Sequence, residues 1–153
     1  MKNIVTVFTF FLATTSFAQW ENFKENIETI SSIDDMIYDP KLQQIANNLI
    51  DSVPIYEKEI LTLSKKDSLD DHFLGTLVFY VSKSPSEESF RKKVFKNIFN
   101  TKNPEDYPVT YYAVLRFYDA IKRSTLEKLS TINELNVSSF ANYKLKELEK
   151  DKK

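Results

Sequence analysis

One histidine, one glycine and no cysteine leave this 153-residue chain few places to carry chemistry. His72 lies beside Asp70 and Asp71, with Asp67 five residues earlier. A metal site on a helix draws its ligands from positions i±3 or i±4. Those positions hold Leu69, Ser68, Gly75 and Thr76, none of them a good ligand. His72 could serve as a lone general base if a distant carboxylate oriented it. The plainer reading is a helix-entry histidine, its neighbouring acids favoured there by the helix dipole. Lack of Cys excludes a disulfide scaffold, a thiolate metal site and a Cys nucleophile. A single Gly75 excludes a Gly-rich phosphate loop, a dinucleotide fingerprint and a nucleophile elbow. No cofactor and no metal are expected.

The carboxylates show no catalytic pairing along the chain. Glu21, Glu25 and Glu28 share a helix face opposite Phe23, Ile27 and Ile30, and read as solvated surface. Glu87–Arg91, Glu88–Lys92 and Asp119–Arg123 stand at i,i+4 in the favourable orientation, contributing about 0.3 kcal/mol each. Two acids brought together by folding, as in a glycosidase, would escape this reading. The densest basic cluster is Arg91, Lys92, Lys93 and Lys96. It could meet an acidic partner or an anionic lipid or envelope polymer. A solvated helix face opposite Phe90, Val94 and Ile98 explains it more simply.

Tyr107, Tyr111 and Tyr118 fall on one stripe at i, i+4 and i+11, with Tyr112, Arg116 and Phe117 on neighbouring faces. Tyr and Arg are enriched in binding hot spots, and tyrosines also fill helical cores when their hydroxyls find a partner. Core packing accounts for most of this stripe. Tyr107, Tyr111, Arg116 and Tyr118 are nevertheless the first candidates for a recognition surface. Asn136-Val137-Ser138 matches a glycosylation sequon, which matters only in a glycosylating secretory pathway.

The elements that must position these groups begin after an export signal. Residues 1–19 read MKNIVTVFTFFLATTSFAQ: one basic residue, an uncharged apolar run Ile4–Leu12, then Ser16-Phe17-Ala18 with small residues at −3 and −1 of a cleavage site. This is the pattern of a secretory signal peptide, too short for a membrane anchor. Residues 1–18 are expected to be removed, leaving a domain over 19–150 and a frayed tail over 151–153. Losing Lys2 takes the 21 basic residues to 20 against 22 acidic ones, a net charge of −2. The most apolar later segment, Phe73–Val81, is too short to span a bilayer. A pI near 5.9 argues against nucleic acid as a partner.

Scarce glycine and the absence of Gly-containing hairpin turns point to an all-α chain. Trp20, Phe23, Ile27 and Ile30 predict a helix over 20–30. Asp39-Pro40 reads as N-cap and N1 of a second, and Pro54 restarts the chain for a third ending near Lys66. Ser68-x-x-Asp71 precedes a long apolar helix to Lys83. Ser84-Pro85-Ser86-Glu87 reads as a capping box with Pro at N1. Pro108 opens an apolar helix to Ile121. Ser124-x-x-Glu127 reads either as a second capping box or as the interior of a helix continuing to Leu135. Ser138 or Ser139 caps the last helix. Leu69–Val81 and Val109–Ile121 are apolar nearly all round and belong in the core. They resemble each other at a spacing of 38 residues, Leu77-Val-Phe-Tyr80 matching Leu115-Arg-Phe-Tyr118. That length suits a helix-pair repeat; two similar core helices explain it as well.

The expected architecture is a single compact all-α domain of about six to seven antiparallel helices, either a helical-hairpin bundle or a short α-solenoid-like stack. The expected function is that of an exported, non-catalytic binding protein, periplasmic or secreted. Its partner would be another protein of the envelope or extracellular space, engaged in an inhibitor, immunity or adaptor role. Two other classes stay open. A small hydrolase would bring carboxylates together by folding, and a carrier would hold an apolar ligand in a cavity bordered by Phe73, Phe95 or Tyr112.

Overall fold

The computed structural model describes the backbone of residues 2–33 and 39–150, and the side chains within those ranges from residue 17 onward. The apolar run of the expected signal peptide and the tail at 151–153 lie outside the described side chains. The described residues form eight α-helices and no strand: α1 (Lys2–Ser31), α2 (Pro40–Ser52), α3 (Glu57–Leu63), α4 (Asp71–Lys83), α5 (Glu88–Thr101), α6 (Pro108–Phe117), α7 (Arg123–Leu129) and α8 (Leu135–Lys150). A 3-10 turn at Val53–Ile55 carries Pro54 between α2 and α3. The described residues are all-helical and fold as a single compact domain, with more helices than the six or seven expected.

Several helix ends obey local chemistry read directly from the residue types. Asp39 caps α2, accepting the Lys41 N–H at 2.8 Å, with Pro40 in the first turn. Asp70, not Ser68, caps α4, its Oδ1 accepting the Phe73 N–H at 2.9 Å. The expected capping box at Ser84 does not form. Ser84 instead closes α4, its hydroxyl donating back to Val81 O at 3.0 Å, and α5 opens at Glu88 behind an extended Glu87. Ser124 makes no cap either: α7 starts behind Lys122 with no side-chain cap bond. The helix from Pro108 stops at Phe117, short of Ile121, because Tyr118 turns extended at φ −120° and ψ 114°. The last helix opens at Leu135, where Glu134 Oε2 accepts the Val137 N–H at 2.7 Å in place of a serine cap.

α4 and α6, the two all-apolar helices, lie side by side at the centre of the core, with Leu74, Leu77, Val78, Val81, Val114 and Leu115 at 0% exposure. Each such side chain stabilises the fold by about 1.5–3 kcal/mol on burial. The two helices run in the same direction. At their starts Asp71 reaches Val109 and Thr110; at their ends Phe79 meets Phe117 with ring centroids 5.2 Å apart. α8 runs parallel to α6 on its other side: Tyr112 meets Phe140 at 5.3 Å, and one helical turn on Lys144 Nζ donates to Tyr118 O at 3.3 Å. α5 runs opposite to α6, pairing Phe99 with Tyr111 at 5.5 Å and Phe95 with Tyr118 at 4.6 Å. α7 runs opposite to α8, with Arg123 on Glu149 at 3.1 Å and Asn142 Nδ2 donating to Ser130 O at 3.5 Å. From α4 to α8 sequence neighbours are thus antiparallel, while α4, α6 and α8 form a parallel row. α1 and α2 pack on each other and close the α4 end of the row.

Gly75 is where the row is tightest. A Cβ at this position would stand 2.8 Å from Val109 Cγ1 and 3.4 Å from the Thr110 backbone nitrogen. Any side chain here would require Val109 to shift.

Candidate functional site

Two connecting segments, 64–70 and 102–107, anchor the start of α6. The first turn of α6 presents backbone N–H groups that no residue within the helix can accept. Asp71 supplies the acceptors from α4: the Val109 and Thr110 N–H groups donate to its Oδ2 and Oδ1 at 2.8 and 2.9 Å. The Thr110 hydroxyl then donates to Asp71 O at 3.1 Å. Beside this junction the Lys102 side chain is buried. Its ammonium donates to Lys66 O, lies 3.8 Å from Asp67 Oδ1 and sits 5.1 Å from the Tyr107 ring centroid. Burial lowers its pKa, and the Asp67 carboxylate opposes that shift. The Tyr107 hydroxyl donates to Asp67 O at 2.6 Å, and burial followed by nearby acids, Asp67 first, raises its pKa. The Tyr111 hydroxyl donates to Lys102 O at 2.8 Å, and burial pushes its pKa up to about 12. These bonds fix α6 against α4 and α5.

The outer face of α6 and α8 is thereby held in place. Pro108, Val109 and Tyr112 of α6 line an open cleft of about 370 Å³ with Glu134 and Asn136 at the start of α8. Tyr112, Phe140 and Tyr143 continue from it as an aromatic ladder, with centroids 5.3 and 5.7 Å apart. The ladder grades from half-buried Tyr112 and Phe140 to Tyr143, which is 55% exposed, and Leu135 stands 73% exposed at the same end of α8 as the cleft. Arg116, one turn beyond Tyr112, is exposed with its guanidinium 5.6 Å from the Phe117 ring centroid. Lys83 stands over the same ring at 5.4 Å. The face therefore combines rigid aromatic area, an aliphatic group and a cation, the mixture that concentrates binding energy at interfaces.

The tyrosine stripe does not stand together on the surface. Tyr111 is a core residue, Tyr107 is half-buried in the Asp67–Lys102 junction, and Tyr118 is half-buried against Phe95. Of the four candidate recognition residues, Arg116 alone lies on the α6–α8 face. Phe140, Tyr143 and Leu135 were not singled out in the sequence. The signal for Leu135 and Tyr143 is an apolar residue facing away from Val137 and Ala141, the buried side of α8, whereas Phe140 stands at the border of that side.

In the basic cluster Lys92, Lys93 and Lys96 are exposed and Arg91 is half-buried. Glu88 pairs with both Arg91, at 3.2 Å, and Lys92, at 3.7 Å, so Arg91 does not take Glu87 as expected. Asp119 pairs with Lys144 at 2.9 Å and leaves Arg123 to Glu127 and Glu149. His72 is exposed at the start of α4. Among the described residues no group of three His, Asp or Glu side chains could hold a metal ion. Phe73 and Phe95 are buried in the core.

Two further clefts flank α1. One, of about 360 Å³, runs between α1 and the end of α2, and its lining includes the amides of Gln19, Asn22, Asn26 and Asn48. The other, of about 190 Å³, is bounded by Trp20, Lys24, Lys58 and Lys66. No helix among the described residues is long and apolar enough to cross a membrane. Comparison with protein families, with curated proteins and with solved structures gives no match to the chain.

Proposed function

We propose that the chain is an exported, non-catalytic binding protein that engages another protein of the envelope or extracellular space through the outer face of α6 and α8. The observation that carries this reading is the half-exposed ladder Tyr112–Phe140–Tyr143 beside an open cleft, with Leu135 exposed at the cleft end of α8. Aromatic side chains offer contact area at small entropic cost, and exposed apolar groups clustered in this way mark interaction surfaces. The parallel row α4–α6–α8, with antiparallel α5 and α7 behind it, reads as a short α-solenoid-like stack. Such stacks present extended faces to protein partners.

The export reading rests on the signal-peptide pattern of residues 1–18. Among the described side chains Phe17, Ala18 and Gln19 are exposed, while Trp20 packs against the core and Phe23 is part of it. Cleavage after Ala18 would keep every core contact described for α1. An acidic pI supports a protein partner over nucleic acid.

The test is affinity capture of the tagged chain from the envelope fraction, alongside Tyr143→Glu and Leu135→Glu. Both sites are exposed, so the variants should match the wild type in circular dichroism and thermal midpoint. A stoichiometric protein retained by the wild type and lost from both variants is expected. Identical capture by all three, or a co-purifying lipid in place of a protein, would overturn the reading.

A further inference from the structure

We infer that the mature N-terminus is chemically closed: Gln19, once exposed by cleavage after Ala18, cyclises to pyroglutamate. The inference rests on the export reading above and adds a modification site to it. The reaction needs only the residue itself. The free α-amine of Gln19 attacks its own side-chain carboxamide carbon, the bond from that carbon to Nε2 breaks, and ammonia leaves as a lactam ring closes. The amine proton passes to the leaving group, so no oxidant, reductant or co-reactant enters.

Three features of the chain favour this outcome. Gln19 is exposed and its carboxamide makes no hydrogen bond among the described residues, so it is free to fold back on the amine. Trp20, the next residue, is held in place, its ring stacked on Phe23 at 5.4 Å and tilted against Tyr56 at 5.3 Å. The new terminus therefore stays at the surface, one residue before the anchored Trp20.

The third feature is electrostatic. Cleavage would make Gln19 the first residue of α1 and place an ammonium at the positive end of the helix dipole, an unfavourable pairing. Lactam formation removes that charge and leaves a neutral amide. Gln19 lines the cleft shared with Asn22, Asn26, Asn48 and Ser52, where Asp51 is the one charged lining residue. Those amides and the hydroxyl can bond the lactam N–H and C=O.

The experiment is intact-mass measurement on the chain recovered from the extracytoplasmic fraction of the cells that make it, with stepwise N-terminal degradation in parallel. The expected mass is that of Gln19–Lys153 less one ammonia, with degradation blocked until a pyroglutamate-specific aminopeptidase is added. A Gln19→Asn variant, whose shorter side chain cannot close the same ring, should keep a free amine and show no ammonia loss. A mature chain starting at Gln19 with its ammonia retained would overturn cyclisation and leave export standing. A full-length mass, or a terminus elsewhere, would overturn the export reading or its cleavage position, and cyclisation with it.

Discussion

Asp71 stabilises a helix other than its own. Its carboxylate accepts two N–H groups of α6 while Asp70, its neighbour, caps α4. Asp71→Ala leaves both α6 donors unsatisfied and should cost about 1–2 kcal/mol. Asp71→Asn keeps one oxygen acceptor and should cost about half as much. Urea midpoints order the three proteins, and equal midpoints for wild type and Asp71→Ala would refute the role. Tyr111 gives a pH signature at the same junction. Its folded pKa of about 12 stands above the ordinary 10.0, so the folded state holds the proton more tightly than the unfolded chain. The stability this supplies is complete below pH 10 and is lost as pH rises through about 12. The thermal midpoint of the wild type should fall more steeply over that window than that of Tyr111→Phe. The variant should start lower by the loss of one hydrogen bond, about 1 kcal/mol. At this scale the sequence was legible where a residue acts on its own neighbours, as Asp39 does on Lys41. It was opaque where the partner lies far along the chain. Nothing near Asp71 announces Val109, and nothing near Lys102 announces Lys66 and Asp67.

Helices α4 and α6 explain the 38-residue similarity in physical terms. Two segments with matching apolar pattern lie parallel and in register, so Asp71 meets Val109 and Phe79 meets Phe117 at that same spacing. Their approach depends on the absent Cβ of Gly75. Gly75→Ala would gain up to about 1 kcal/mol of helix propensity, but overlap with Val109 should cost about 1–3 kcal/mol. A net loss is expected. Adding Val109→Ala should recover part of it, giving a coupling of about 0.5–3 kcal/mol in a double-mutant cycle followed by chemical denaturation. Strict additivity would show that the close approach is relieved elsewhere. Helix existence was readable because apolar periodicity reports burial. Helix ends were less so. Ile121 is buried as its pattern demands, yet it reaches the core from a non-helical segment, because burial does not fix the backbone. Ser84 has the residue type of a helix start but bonds back to Val81 and ends the preceding helix.

Across the whole molecule, the same polar junction that locks the start of α6 holds its outer face in line with α8. The face is built from residues that local pattern reading treats as ordinary helix surface. Tyr112, Phe140 and Tyr143 become one ladder only because α6 and α8 lie side by side, a relation set by the whole stack. Arg116 belongs to the face for the same reason, while Tyr111 and Tyr107 were turned to structural use. The central claim, that this face meets a protein partner, is tested most directly by site-specific photo-crosslinking in the intact envelope. A photoreactive amino acid would replace Tyr143, and in a second chain Lys58, exposed on α3. A single protein adduct from position 143, absent from position 58 and lost on Leu135→Glu, is the expected result. Adducts of the same pattern from both positions, or none from position 143, would contradict it.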